Sequence, residues 1–220
     1  MYLQAAIFDL DDTLHDKSST LEAFASWQFF CAGLAEFGID LSAWQRIYVG
    51  LNNLRIEKTE VFDRLSSHFG LPDTLHRTLM KEFDHELGRH AVPFDGAIAL
   101  LSECKSRGMK IGIVTNGRDT FQRSKIDGMG ITSMIDSIVT SGGCSIKKPD
   151  HRIFLACLDQ LTVAANRTAF VGDDFEADMR PALDMGMTAI WKSAQRSDLV
   201  AFSSDSFSRI GDFLFSLHQA

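Results

Sequence analysis

Short apolar segments alternate with helical segments from Pro93 to the end of the chain, and this alternation constrains the fold more than any other feature of the sequence. The segments predicted as strands lie within 110–115, 135–141, 169–172 and 187–191. Helices are predicted around them at 97–107, 121–128, 153–161, 177–185 and 207–217. Strands separated by helices pair in parallel through right-handed crossovers. The pattern therefore predicts an α/β fold with a doubly wound, Rossmann-like parallel sheet.

The N-terminal part of the chain adds one strand and then changes character. Residues 5–8 form an apolar run too short for an ordinary helix, so we predict a further strand of the same sheet. From about residue 18 to 88, aromatic and leucine side chains recur at helical spacing, and Gly38 and Gly70 end two of these stretches. We therefore predict an α/β core domain formed by residues 1–16 and 89–220, with an inserted all-α domain at 17–88.

Charge and composition exclude several classes of partner. The net charge of −7 leaves no basic footprint for a nucleic acid polymer. The sequence shows no apolar run long enough to span a bilayer and no secretory signal pattern. The four cysteines are scattered, without a Cys-x-x-Cys pair, which is typical of a reduced compartment. We expect a cytoplasmic protein, a monomer or homodimer, whose partner is a small molecule.

Polar residues follow the predicted strands at the points where these end. They are Asp9 and Asp11; Thr115, Asn116 and Gly117; Lys147 and Lys148; and Asp173, Asp174 and Asp178. Because the carboxyl ends of parallel strands share one edge of a sheet, these groups are expected to converge. Neighbouring carboxylates repel each other unless a cation or a proton compensates their charge. The convergence therefore indicates a site that handles ions.

These residue types suit phosphate chemistry. A threonine hydroxyl, the backbone of an Asn-Gly pair and a lysine can hold phosphoryl oxygens. Asp9 and Asp173 offer the hard oxygen ligands that Mg²⁺ prefers. A carboxylate nucleophile can work with a second carboxyl, Asp11, that protonates the leaving group and later activates water. The sequence thus favours hydrolysis of a phosphate ester.

Four segments resemble, in order, the motifs of the haloacid dehalogenase-like (HAD) hydrolase superfamily. They are Asp-Leu-Asp-Asp-Thr-Leu from Asp9, Val-Thr-Asn-Gly from Val114, Lys-Lys-Pro-Asp from Lys147 and Val-Gly-Asp-Asp-Phe-Glu-Ala-Asp from Val171. The resemblance implies a Mg²⁺-dependent phosphate monoester hydrolase with an aspartyl-phosphate intermediate. The helical insert is similar to the cap of subfamily I. The likeness extends locally to the branch that contains nucleoside 5′-monophosphate phosphatases and N-acylneuraminate-9-phosphatase.

The resemblance also implies a role for each matching residue. Asp9 corresponds to the nucleophile and Asp11 to the general acid and base, and Thr115 and Lys148 complete the catalytic set. The implied phosphate-binding residues are Thr115, Asn116, Gly117 and Lys148. The implied metal ligands are Asp9, Asp11 and Asp173. Asp174 and Asp178 are expected to lie around the metal or to act as additional ligands. Lys148 is preferred to Lys147 because it directly precedes the proline.

Other functions remain open on the same scaffold. A phosphomutase would keep the same core residues, whereas a haloacid dehalogenase would not keep the Asp11 carboxyl. A non-catalytic phosphate-binding or signalling module is a further alternative, because a fold does not fix a function. The substrate is expected to be a nucleotide or sugar phosphate. Arg55 and Lys58 are candidates for contacts to its leaving group, and His15 is expected to be a hinge or surface residue.

Overall fold

The computed structural model describes residues 2–54 and 56–218, which form two compact units. One unit contains the residues up to 16 together with those from 93 onward, and the other contains residues 17–92. The chain returns from the helical unit to the α/β unit after residue 92, whereas the boundary predicted from the sequence lies after residue 88. Residues 87–90 form a 3₁₀ helix, and the Val92 amide donates to Thr20 Oγ1 at 2.8 Å. These contacts make residues 89–92 part of the helical unit.

The α/β unit is built on a parallel sheet with six strands in the described part of the chain. The strands are β1 (Ala5–Phe8), β2 (Lys110–Thr115), β3 (Ser137–Thr140), β4 (Thr168–Gly172), β5 (Thr188–Trp191) and β6 (Phe202–Ser203). Their order is β3-β2-β1-β4-β5-β6, so β1 lies in the middle. The predicted α/β fold class is confirmed. The two-residue strand β6 was not predicted, because so short a segment has no readable period.

Helices connect the strands and build the inserted unit. They are α1 (Lys17–Cys31), α2 (Leu41–Asn52), α3 (Lys58–Phe69), α4 (Asp73–Glu86), α5 (Ala97–Ser106), α6 (Asp119–Gly128), α7 (Ser141–Cys144), α8 (His151–Leu161), α9 (Arg180–Asp184) and α10 (Phe207–His218). Short 3₁₀ helices span Leu34–Phe37, Leu87–His90, Thr132–Met134 and Ala165–Arg167. The helix predicted at 177–185 is instead a π-helical turn, Phe175–Met179, followed by α9. The short helix α7 was not predicted.

The central strands are buried on both faces, which explains their continuous apolar sequence. All four residues of β1 are fully buried, and Phe8 lies opposite Ile113 of β2 and Val171 of β4. Residue 112 is a glycine because α8 packs closely there: a Cβ at Gly112 would lie 2.6 Å from Cys157 Sγ. The tight packing holds β1 in place, and the residue that follows it lies beside the ends of β2 and β4.

The helical unit has an aromatic core. The ring centroids of Phe24 and Tyr48 are 6.4 Å apart, and those of Phe62 and Phe83 are 5.7 Å apart. The aromatic side chains at helical spacing therefore pack against one another, as their period indicates. Lys58 Nζ donates to Asn52 Oδ1 at 2.8 Å and lies 5.1 Å from the centroid of Phe83, so it is engaged within this unit. Arg55 lies outside the described residues.

Across residues 2–54 and 56–218, the helices are all too short or too polar to cross a membrane.

Candidate active site

The first motif leaves β1 in a tight loop at the carboxyl edge of the sheet. The Asp9 amide still donates to the Val171 carbonyl of β4 at 2.9 Å, which fixes the side chain beside β4. Asp12 adopts a left-handed conformation with φ of 61°, and its amide donates to the His15 carbonyl at 2.9 Å. The loop thus turns sharply after Asp9, and Asp9 is only 7% exposed.

Three carboxylates meet at this edge, from Asp9, Asp173 and Asp178. One oxygen of each lies within 4.8 Å of the others. Lys148 Nζ donates to Asp9 Oδ1 at 2.6 Å and to Asp178 Oδ1 at 2.7 Å, and its side chain is only 4% exposed. One ammonium group therefore contacts two of the three buried or half-buried carboxylates, which leaves an excess of negative charge.

The excess of negative charge shifts the pKa values in this cluster. Burial, together with repulsion from Asp9, raises the pKa of Asp178 to about 7 and that of Asp173 to about 6. Burial alone would lower the pKa of Lys148, but attraction to Asp9 and Asp178 outweighs burial and raises it above the usual range. Hard oxygen ligands carrying unbalanced charge fit a divalent cation such as Mg²⁺.

Neighbouring elements hold Asp173 and Asp178 in place. Thr13 Oγ1 donates to Asp173 Oδ1 at 3.0 Å, and Trp191 Nε1 at the end of β5 donates to the Asp173 carbonyl at 2.7 Å. The Asp174 amide donates to Asp178 Oδ2 at 3.2 Å. A side chain at Gly172 would clash with the Asp178 carboxylate, so a glycine is required where β4 ends.

Asp11 lies in a second polar cluster. Lys125 Nζ donates to its two carboxylate oxygens at 2.8 and 2.9 Å, His15 Nδ1 lies 2.7 Å from Oδ1, and Gln122 Nε2 donates to Oδ2 at 3.1 Å. Burial alone would raise the pKa of Asp11, but Lys125 and His15 outweigh it and hold the pKa well below its usual range. The ionised form of Asp11 is therefore stabilised, although its side chain is 31% exposed.

The second and third motifs are bound to each other. Asn116 Oδ1 accepts from the Lys148 amide at 2.9 Å, and Asn116 Nδ2 donates to the Lys148 carbonyl at 3.2 Å. The Gly117 amide donates to Ser141 Oγ at 2.9 Å, and the φ of 144° at Gly117 is one that L side chains rarely adopt. Thr115 Oγ1 accepts from Gln122 Nε2 at 2.7 Å. Asn116 thus sets the backbone that carries Lys148, while Lys147 is exposed.

The structure brings some of the expected residues together and separates others. Asp9, Asp173 and Lys148 lie in one cluster. Asp178 belongs to it, whereas Asp174 is exposed and accepts hydrogen bonds from the amides of Glu176 and Ala177 as the N-cap of the π-helical turn. The Asp11 carboxylate is outside the cluster of three, and its role as a metal ligand stays a prediction.

Several groups of this site received no role in it from the sequence, although Gln122 and Lys125 belong to the local likeness to the nucleoside 5′-monophosphate phosphatase branch. His15 is only 1% exposed and contacts Asp11, so it is not a surface residue. Gln122 and Lys125 are three residues apart on the helix that follows the second motif, a spacing that places both on one face. That spacing was the available signal. No residue after the fifth strand was predicted to belong to the site. Lys192 directly follows this strand, and its Nζ donates to the Asp12 carbonyl at 2.9 Å.

The fold and the groups at its strand ends define a hydrolytic enzyme of the α/β class. The model of the family described as haloacid dehalogenase-like hydrolase matches residues 6–192, and the chain belongs to this family. The predictions of the family and of a hydrolase are confirmed.

Curated relatives of the chain are phosphatases. A glyceraldehyde 3-phosphate phosphatase from Methanothermobacter thermautotrophicus is 29% identical over 204 residues, covering 89% of this chain and 88% of that protein. The N-acylneuraminate-9-phosphatase of Mus musculus is 33% identical over 104 residues, covering 47% of this chain and 42% of that protein. Among solved structures, a HAD-superfamily hydrolase of subfamily IA from Geobacter sulfurreducens has a similar fold, with a TM-score of 0.69 at 20% identity over 96% of each chain.

Proposed function

We propose that this chain hydrolyses monoesters of small phosphorylated metabolites, with Asp9 as the nucleophile and with Mg²⁺ held by the carboxylates of Asp9, Asp173 and Asp178. The observation that carries the proposal is the different environment of two carboxylates that a single residue, Leu10, separates in the sequence. Asp9 contacts Lys148 inside the acidic cluster, whereas Asp11 is held by Lys125. Two carboxyl groups in separate environments can take separate roles in one reaction.

In the first half-reaction, an Asp9 carboxylate oxygen attacks phosphorus while the bond from phosphorus to the ester oxygen breaks. Because ionised Asp11 is the stable form, Asp11 first accepts the proton carried by the phosphate monoanion of the ester. It then gives this proton to the leaving alkoxide, which departs as an alcohol. In the second half-reaction, water attacks phosphorus and gives a proton to Asp11 as the bond to Asp9 breaks. The released inorganic phosphate takes that proton from Asp11, and both carboxyl groups return to their ionised starting forms.

The other residues bind and orient the phosphoryl group. Lys148 faces Asp9 from the third motif, and the Thr115 hydroxyl with the Asn116 amide supplies donors from the second. Lys125 and His15 stabilise ionised Asp11, which is the form that accepts a proton from water. Mg²⁺, when bound, supplies positive charge that offsets the repulsion between Asp9 and the anionic ester.

The substrate class is proposed from the relatives. The archaeal phosphatase that matches along most of this chain is named for a phosphorylated triose, which supports a small sugar phosphate as substrate. The shorter match is to an enzyme named for a phosphorylated acyl sugar. We propose that the inserted helical unit selects among such compounds.

Release of inorganic phosphate from a metabolite panel tests the proposal. The panel contains glyceraldehyde 3-phosphate, N-acylneuraminate 9-phosphate and nucleoside 5′-monophosphates, each assayed with Mg²⁺. We expect turnover of at least one sugar phosphate or nucleotide by the natural chain and none by Asp9→Asn. Asp212→Asn is the matched control, because Asp212 is exposed on α10 and belongs to neither polar cluster. Near-normal turnover by Asp9→Asn would show that the nucleophile has been assigned wrongly.

A further inference from the structure

Two buried side chains of α6 have contacts that the proposed reaction does not yet use. Gln122 is 1% exposed and Lys125 is 5% exposed, and they lie on successive turns of the helix. A buried lysine is unfavourable unless its charge is paired and its hydrogen bonds are satisfied. The partners of the buried Lys125 therefore indicate its role in the site.

The three donors of the Lys125 ammonium group have three acceptors. Two are the Asp11 carboxylate oxygens, at 2.8 and 2.9 Å, and the third is Gln122 Oε1, at 2.8 Å. Because an ammonium group only donates, the Gln122 atom that faces it must be the carbonyl oxygen. The Gln122 amide nitrogen is therefore turned the other way.

That nitrogen joins the Asp11 cluster to the phosphate-binding motif. Gln122 Nε2 lies 2.7 Å from Thr115 Oγ1, 3.1 Å from Asp11 Oδ2 and 3.2 Å from the Asn116 carbonyl. Lys125 thus sets the orientation of Gln122, and Gln122 sets the distance between Asp11 and Thr115.

We propose that Lys125 and Gln122 are positioning residues, which fix the Asp11 carboxyl group relative to the phosphoryl group bound at Thr115. The inference rests on the proposed phosphatase function and deepens it. Neither residue transfers a proton or contacts the reacting atoms; Lys125 acts through Asp11, and Gln122 acts through Asp11 and Thr115. A displacement of about 1 Å in a reacting group can cost about 100-fold in rate, so the loss of either contact should be visible in turnover.

The test is a double-mutant cycle between Lys125→Met and Asp11→Asn. In the natural background, Lys125→Met should lower kcat for an alkyl phosphate by about 10- to 100-fold and leave KM within about twofold. First-turnover release of p-nitrophenolate should fall several times less, because this leaving group needs little protonation. In the Asp11→Asn background, Lys125→Met should change the first turnover less than about threefold, since there is no carboxylate left to position.

Control variants separate positioning from a merely structural role. Lys105→Met removes an exposed lysine–aspartate pair of the same unit, Lys105 with Asp136 at 2.7 Å, and should leave both rates unchanged. Lys125→Arg keeps a cation next to Asp11 and should recover part of the alkyl phosphate turnover. Gln122→Leu repeats the cycle if Lys125→Met does not fold. Its effect should be smaller in the Asp11→Asn background than in the natural one, and the effect that remains there measures the contact of Gln122 with Thr115.

The outcomes distinguish this inference from the proposed function. If Lys125→Met lowers the rate by the same factor in both backgrounds, the lysine does not act through Asp11 and the inference is overturned while the phosphatase function stands. A raised KM with unchanged kcat overturns it as well, because Lys125 would then bind substrate. If the natural chain releases no phosphate from the panel or from p-nitrophenyl phosphate, the proposed function fails, and this inference fails with it.

Discussion

The stability of the metal-free protein should fall as the pH rises from about 5 to 8, because Asp178 binds a proton more tightly in the folded than in the unfolded chain. Its pKa rises from 3.8 to about 7 through burial and repulsion from Asp9. A carboxyl group with a raised folded-state pKa stabilises the protein fully below its unfolded pKa, and this contribution is lost as the pH passes the folded pKa. From these two values, Asp178 alone makes the free energy of unfolding about 3 kcal/mol larger at pH 5 than at pH 8. Asp173 adds less, because it is partly exposed and shares the repulsion from Asp9.

Urea unfolding in the presence of a chelator measures this effect. In the natural chain, the free energy of unfolding should decline between pH 5 and pH 8. In Asp178→Asn this decline should be smaller by about 2–3 kcal/mol. Asp212→Asn should follow the natural chain. Saturating Mg²⁺ should stabilise the natural chain more at pH 8 than at pH 5, because the ligands must be deprotonated to bind it. Stability that rises with pH in the natural chain, or an equal decline in Asp178→Asn, would refute the reasoning.

The remaining expected outcomes concern turnover. Asp11→Asn should lower kcat for alkyl phosphates by about 10²–10⁴-fold, and phosphoenzyme should accumulate with p-nitrophenyl phosphate; equal losses for both esters without accumulation would contradict the dual role. Removal of divalent cations should abolish phosphate release, which Mg²⁺ should restore and Ca²⁺ should not, and full turnover by metal-stripped protein would exclude a catalytic metal. Replacement of residues 17–92 by a short linker should preserve slow hydrolysis of activated esters and erase the ranking of kcat/KM across the panel; an unchanged ranking would place specificity in the α/β unit.

The alternation of strands and helices could be predicted because the spacing of apolar residues distinguishes strands from helices. The strands β1, β2 and β4 are short apolar runs, and each ends in residues that a buried strand would not contain. Parallel pairing then places Asp9, Thr115 and Asp173 at one edge without any three-dimensional information. Neighbouring residues and a general rule of sheet topology are therefore enough to predict this edge of the sheet.

The choice between Asp174 and Asp178 could not be made in the same way. An ordinary helical continuation after β4 is what the sequence suggests, but the chain forms a π-helical turn at Phe175–Met179. Asp178 returns to the end of β4, where Gly172 leaves room for its carboxylate. The wider turn is stabilised by packing and by the contact with Lys148, which is 30 residues away in the sequence. Local helix propensity does not reflect such distant contacts.

Charge balance connects the two polar clusters. The four carboxylates of Asp9, Asp11, Asp173 and Asp178 share two lysines: Lys148 contacts Asp9 and Asp178, and Lys125 contacts Asp11. Lys125 compensates Asp11 alone, so the uncompensated negative charge collects at the other three carboxylates. This is where the pKa values of Asp173 and Asp178 are raised, while that of Asp11 is lowered. Asp12 and Lys192 add one charge of each sign and leave the difference unchanged. A divalent cation would cancel the two excess charges, so the separate pairing of Asp11 with Lys125 is what leaves the Asp9 cluster matched in charge to Mg²⁺.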